Sequence, residues 1–401
     1  MEFRRISNLP PYVFTIINNL KIEARRSGHD VIDLGFGNPD IASPQIAVDK
    51  LAEAARMPRN HRYSVSRGLP KLREAIAAYY DRVWGVSLDP ELEVTNTIGS
   101  KEGFSHLMWV LLDHNDAAIV PTPSYPIHMY GPLFAGADLR QVPMRGLSHP
   151  DARADFTADF MQRLATAYDI GWPKPRVLII SFPHNPTGAI VDADFMQQVV
   201  DFCREHDMIA VHDFAYADMG FDGVQPPSIL QAEGAKECAV ELYSMTKSFS
   251  MAGWRVAFLV GNAEVVQALV KLKSYLDYGV FQPVQIAATV TLNEAVDYPS
   301  EVSAIYESRC DALIDGLGRI GWEVPKPGGS MFVWAPIPEP YAEMDSVEFC
   351  SLMVRECDVA LSPGAGFGPG GEGYVRFALI ENEKRIAQGI RNLRRGLVKL
   401  G

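Results

Sequence analysis

Cysteine is scarce in this chain of 401 residues: five are present, at positions 203, 238, 310, 350 and 357, with no Cys-x-x-Cys among them. Scattered through apolar segments, they read as reduced, buried thiols, which argues against a disulfide framework or a thiolate zinc site. The nine histidines are equally dispersed and no His-Glu-x-x-His occurs, so no metal centre is expected. Basic charge is also in deficit. Lysine and arginine number 37 against 49 acidic residues, a net charge of −12, whereas general nucleic-acid binding needs a basic surface. No apolar run reaches the roughly 18 residues of a membrane span, so no membrane partner is expected. The opening Met1-Glu2-Phe3-Arg4-Arg5 runs into Pro10-Pro11 without the apolar stretch of a signal peptide, which makes the cytoplasm the expected compartment.

What remains is an ordinary globular composition, 47% apolar and 21% charged, on a chain too long for one core. Apolar runs at Ala117–Val120, Val177–Ser181, Ile209–His212, Ala239–Ser244 and Val256–Val260 read as buried strands. Amphipathic patterns at Lys101–Leu112, Asp192–His206 and Ala263–Tyr275 read as helices between or beside them. This alternation predicts a three-layer αβα domain around a mostly parallel sheet. The last third differs: long helices at Pro283–Val296 and Ser300–Gly318, a strand at Met331–Trp334, a helix at Ser346–Cys357, a Gly-rich loop at Gly364–Gly371, a strand at Tyr374–Leu379 and a helix from about Glu383. It predicts a smaller α+β domain over 286–401, with 1–45 forming an arm and part of that domain and 46–285 the large one.

Ligands gather at the carboxyl ends of strands in such sheets, so the residues that follow each run carry the chemistry. Lys247 lies in Ser244-Met245-Thr246-Lys247-Ser248, followed eight positions later by Arg255. A lysine whose pKa is depressed by burial and nearby cations is suited to Schiff-base formation, and the flanking Ser244 and Arg255 suit a phosphate; a solvated Ser-rich turn has the same letters. These parts together fit pyridoxal phosphate. That cofactor needs a carboxylate at its pyridine nitrogen, and Asp213 ends a strand in His212-Asp213-Phe214-Ala215-Tyr216. Tyr216 can reach the phenolic oxygen, and His212 either supports Asp213 from behind or fills space. Asn185, in Pro183-His184-Asn185-Pro186-Thr187-Gly188, can reach the same oxygen. Gly99-Ser100-Lys101 opens a helix and offers either an anion site or an ordinary cap. Tyr125 follows another strand, where its ring can stack on the cofactor or pack in the core. Arg376, inside the apolar Tyr374–Leu379, needs an anionic partner, either a structural carboxylate or the α-carboxylate of a substrate.

In order and spacing, Asn185, Asp213, Tyr216, Ser244, Lys247, Arg255 and Arg376 resemble the series of the class I/II aminotransferases of the fold-type-one pyridoxal-phosphate superfamily. The resemblance runs from Gly35-Phe36-Gly37-Asn38-Pro39 to the terminal helix. It implies an aspartate-aminotransferase-like fold and roles residue by residue. Lys247 would bind the cofactor covalently and then move the α-proton. Asp213 would pair with the pyridine nitrogen, with Asn185 and Tyr216 at the phenolic oxygen. Ser100, Ser244 and Arg255 would take the phosphate, with Lys101 beside them, and Tyr125 would stack on the ring. Arg376, assisted by Asn185 and the Gly37 backbone, would take the substrate α-carboxylate. Tyr63 looks like the residue that reaches a neighbouring subunit's phosphate, which implies a homodimer.

Within the family, Leu9–Phe14, Pro123–His128, Val211–Asp213 and Arg376–Asn382 look like bacterial alanine (glutamate–pyruvate) transaminases. Groups acting on aspartate, methionine or LL-diaminopimelate share the scaffold, as do some β-lyases and synthases. No arginine occurs in Tyr275–Phe281, so an aspartate-type side-chain clamp is not expected there. Lys101 is a candidate for a distal carboxylate, and Tyr12, Phe14 and Phe36 for narrowing the pocket around a small side chain.

Overall fold

The computed structural model describes residue 9 and residues 12–144 and 153–400; Met1–Arg5 and Pro10-Pro11 lie outside the described residues. Its first strand, β1 (Ile32–Asp33), belongs to a small pair, and a seven-stranded sheet follows. The strands of that sheet are β2 (Val94–Thr97), β3 (Ala117–Thr122), β4 (Asp138–Pro143), β5 (Val177–Ile180), β6 (Ile209–Phe214), β7 (Ala239–Ser244) and β8 (Ala257–Gly261). Their order is β2-β8-β7-β6-β5-β3-β4. Pairing is parallel from β4 through β7, and β8 alone runs antiparallel to both its neighbours. Every strand expected from an apolar run is present, with ends that differ by at most two residues. β2 and β4 are additions, because Thr95, Asn96, Thr97, Arg140 and Gln141 interrupt any apolar run there.

Helices cover both faces of the sheet. On one side Tyr79, Tyr80 and Trp84 of helix Pro70–Trp84 join Phe195, Val199 and Phe258 in one core. On the other, Phe104, Leu107 and Met108 of helix Ser100–Leu111 join Val266 and Leu269 of helix Ala263–Leu276. Two helix starts carry side-chain caps that the sequence offers: Asp192 accepts from the Phe195 N–H at 2.9 Å and Asn262 from the Val265 N–H at 3.0 Å.

The last third builds a second core with the early chain. It contains β9 (Phe332–Pro336), β10 (Val359–Ala360), β11 (Ser362–Pro363) and β12 (Tyr374–Ala378), with β11-β12-β9 forming an antiparallel sheet. β1 pairs in parallel with β10, and Ile17 and Leu34 pack among Tyr306, Phe349, Phe377 and Leu393. A half-buried bidentate pair, Arg309 to Asp40 at 2.7 Å on both nitrogens, ties helix Tyr298–Gly318 to the loop after β1. Among the described residues no helix is long and apolar enough to cross a membrane.

One polar cluster lies wholly inside the large core. The Glu241 carboxylate accepts from Tyr80 Oη at 2.7 Å, Ser228 Oγ at 2.9 Å and the Ile229 N–H at 3.1 Å, and lies 2.8 Å from His212 Nδ1. Removing the acceptor strands several buried donors at once. Glu241→Ala is therefore expected to cost about 3–5 kcal/mol, measured as a lower urea midpoint than wild type; a shift below about 1 kcal/mol would mean that the cluster is not a structural keystone.

Candidate active site

The strand ends converge on a cavity of about 420 Å³. β2 leads to Gly99 and Ser100, β3 to Ser124 and Tyr125, β5 to Ser181 and Asn185, β6 supplies Asp213 and leads to Tyr216, and β7 leads to Ser244 and Lys247. Because β8 is antiparallel, the residue that enters it from this edge is Arg255. β12 and the loop Gly35–Pro39 close the other wall with Arg376 and Gly37.

Lys247 is half-buried, and its Nζ donates to the Gly37 carbonyl at 3.1 Å. Burial, then the charges of Arg376 and Arg255, lowers its pKa to about 7. Arg376 is buried and has no carboxylate among its partners in the described residues. Its guanidinium donates to Asn185 Oδ1 at 2.8 Å, the Gly35 carbonyl at 3.1 Å and Ser362 Oγ at 3.4 Å. It stacks over the Phe332 ring at 3.8 Å, and burial lowers its pKa to about 10. The unpaired charge faces the cavity. Nε has no hydrogen-bond partner.

Asp213 sits near the end of β6, with Oδ2 2.8 Å from His128 Nε2 and Oδ1 buried without a partner. His128 Nδ1 in turn lies 2.9 Å from Ser124 Oγ. The support for Asp213 is thus His128, and of the two readings of His212 the one that set it behind Asp213 is corrected. Strand alternation sends neighbouring side chains to opposite faces, so His212 turns into the core, where it pairs with Glu241 and accepts from the Phe182 N–H at 3.2 Å. The signal available in the sequence was a histidine one turn into the helix that Tyr125-Pro126 opens.

At the other end of the cavity, Gly99 caps helix Ser100–Leu111 at φ +88°, and no side chain caps that helix. Ser100 is thereby its first residue rather than its cap. A Cβ on Gly99 would fall 2.0 Å from Arg255 Nη2, so the guanidinium lies directly against the glycine. Arg255 adopts a left-handed conformation at φ +57° and donates to the Ala252 carbonyl at 3.1 Å. Ser244 Oγ accepts from the Thr246 N–H at 3.2 Å and opens the turn that carries Lys247. Ser100, Ser244, Arg255 and free helical N–H groups form a cradle that suits a phosphate, and the partnerless Asp213 oxygen suits a pyridinium N–H. The residues present fit pyridoxal phosphate.

Tyr216 is buried against Phe332, its pKa pushed well up by burial. Tyr125 lines the cavity, with Lys101 Nζ 5.6 Å above its ring. Tyr63 is not brought to the cavity. It is 84% exposed and lies against Tyr278, ring centroids 4.5 Å apart. Phe332, Phe367, Thr246 and Ser181 line the cavity without having been singled out in the sequence.

A family model for aminotransferase class I and II matches residues 29–393. The chain is a class I and II aminotransferase. It is 48% identical to the glutamate-pyruvate aminotransferase AlaC of Escherichia coli over 98% of this chain and 93% of that protein. It is 40% identical to the LL-diaminopimelate aminotransferase of Moorella thermoacetica over 100% of this chain and 99% of that one. A single mutant of the Thermus thermophilus aspartate aminotransferase superposes with a TM-score of 0.88 at 26% identity, covering 98% of this chain and 99% of that chain. The aminotransferase thus has the aspartate-aminotransferase-like fold and, as its class does, uses pyridoxal phosphate.

An amine with a lowered pKa affects the fold of this aminotransferase as well. In the unfolded chain Lys247 titrates near 10.5, but in the folded cavity near 7, so between those values the unfolded state holds the extra proton. Stability therefore rises with pH across that window, and this lysine is most costly below about 7. Lys247→Met is expected to raise the melting temperature of the cofactor-free chain most at or below that pH, with the gain fading toward 10.5. Melting curves with a pH-independent gain would contradict the assignment.

Proposed function

We propose that this aminotransferase exchanges the amino group between L-alanine and 2-oxoglutarate, giving pyruvate and L-glutamate. The observation that carries an α-amino acid as substrate is Arg376, a buried guanidinium without a carboxylate partner among the described residues, held by Asn185 beside Lys247. Its planar fork takes the α-carboxylate in two hydrogen bonds. That anchoring sets the substrate's Cα near Lys247, whose amine, neutral above a pKa of about 7, accepts the α-proton and returns it. Pyridoxal phosphate, when bound, supplies the carbonyl that takes up the amino group and the electron sink that makes the α-proton acidic. Lys247 would hold it covalently. Asp213, oriented by His128, would keep its ring nitrogen protonated, with Asn185 and Tyr216 at the phenolic oxygen. Tyr125 would lie against the ring, and Ser100, Ser244 and Arg255 would take the phosphate with Lys101 alongside.

Alanine as donor is favoured by the 48% identity with a glutamate-pyruvate aminotransferase and by the aromatic rim of Tyr12, Phe14, Phe36 and Phe367, which leaves room for a small side chain. For the longer partner we assign Lys101 to the distal carboxylate. It is an exposed cation on the cavity wall, over Tyr125, and Tyr12 is close enough to feel its charge. LL-diaminopimelate is the second reading, favoured by 40% identity over the whole chain. We also infer a homodimer in the cytoplasm. Tyr63 and the Tyr278 ring it lies against are exposed, as are Tyr275 and Phe281; in a dimer Tyr63 would reach the neighbouring phosphate, and all five cysteines are buried and unpaired.

Steady-state assays across donors decide between these. L-alanine with 2-oxoglutarate should give the highest kcat/KM, and Lys247→Ala should abolish it. Lys101→Met is expected to raise KM about tenfold for glutamate and 2-oxoglutarate, in line with loss of a charge-assisted contact, while KM for alanine and pyruvate stays nearly unchanged. A preference for LL-diaminopimelate, or equal losses for all four substrates, would overturn the corresponding part of the proposal.

A further inference from the structure

Behind the phosphate end of the cavity lies a lysine that the reaction does not use. Lys273, in the last turn of helix Ala263–Leu276, has a fully buried side chain, with Nζ 2.8 Å from Asp277 Oδ2 and 3.5 Å from Glu102 Oε1. Glu102, Asp277 and His106 place ligand atoms within 4.8 Å of one another, with His106 Nδ1 2.6 Å from Glu102 Oε1. Between the two carboxylates the ammonium of Lys273 is the lysine or arginine cation of the group.

Each carboxylate it neutralises holds a different piece of backbone. Glu102 lies in the first turn of helix Ser100–Leu111, and its Oε2 accepts from the Ile98 N–H at 2.7 Å. Ile98 immediately precedes Gly99, against which Arg255 packs. Glu102 thereby fixes the turn that builds the anion cradle, yet it puts a negative charge within a turn of where the phosphate is to bind. Uncompensated, that charge would repel the phosphate and compete for the positive end of the helix. Asp277 Oδ1 accepts from the Gly279 N–H at 2.6 Å, and Gly279 packs so closely on the Val65–Ser66 backbone that a Cβ would lie 2.9 Å from the Val65 carbonyl.

We propose that Lys273 is a positioning residue for the cofactor's phosphate: it cancels the charge of Glu102, so that the turn Ile98–Ser100 is both rigid and receptive to a dianion. The proposal rests on the reading that this cradle takes the phosphate. Removing one partner of a buried ion pair strands the other, whereas removing both is far less costly. A packing role would not distinguish these cases.

The test is equilibrium binding of pyridoxal phosphate, and separately of pyridoxal, to the full chain stripped of cofactor. Lys273→Met should weaken pyridoxal phosphate about tenfold or more and leave pyridoxal nearly unaffected. Adding Glu102→Gln, which keeps an acceptor for Ile98, should restore most of the loss. Equal weakening of both ligands, no weakening of either, or a double variant no better than the single one would overturn the proposal. Should Lys273→Met not fold, Lys273→Gln with and without Glu102→Gln decides by the same comparison. Wild-type protein that binds pyridoxal phosphate no better than pyridoxal would instead overturn the phosphate assignment itself.

Discussion

A chain with a net charge of −12 gathers Lys247, Arg255 and Arg376 around one cavity, and none has a carboxylate partner among the described residues. This is the constraint on which the site depends. Buried positive charge without a counter-ion is unfavourable, and the chain bears that cost in two ways. Lys247 gives up its proton near pH 7, driven by burial and by its two cationic neighbours. Arg376 spreads its charge over the Asn185 oxygen, the Gly35 carbonyl and the faces of Phe332 and Phe367. The arginines lie at different ends of the cavity, one at the cradle beside Gly99 and the other beside Gly37.

The sheet explains how residues so distant in sequence meet. Parallel strands all end at one edge, so the loops after β2, β3, β5, β6 and β7 share it. The reversal of β8 brings Arg255 to the same edge from the opposite chain direction. The second sheet then contributes Arg376 from the middle of β12, paired with Ser362 on one side and Trp334 on the other. Gly37 comes from the loop after β1, pinned further along by Asp40 and Arg309. Two cores must assemble before the site exists.

Much of this was legible in the sequence, for a physical reason. Buried parallel strands are continuous apolar runs, and the cavity residues lie at or just after their ends, so Asn185, Asp213, Ser244 and Lys247 could be placed without knowing the topology. What escaped was whatever depends on face or on long-range pairing. Strand alternation separates His212 from Asp213, and His128 replaces it from a helix 85 residues earlier. β2 and β4 carry polar residues that hide their strand character. Lys273 looks like any lysine on a helix, and only its lack of exposure and its distance from Glu102 mark it out. The same limit applies to Tyr63, whose neighbours within this chain are Tyr278 and solvent.

The central claim is that the cavity is a two-ended anion clamp with a polarised middle. It is tested most directly by a crystal structure of the protein loaded with pyridoxal phosphate and a non-reactive dicarboxylate. The account predicts phosphate at Ser100, Ser244 and Arg255, one carboxylate bidentate on Arg376, and Asp213 Oδ1 within hydrogen-bonding distance of the ring nitrogen. Phosphate on Arg376, or an Asp213 oxygen still without a partner, would contradict it.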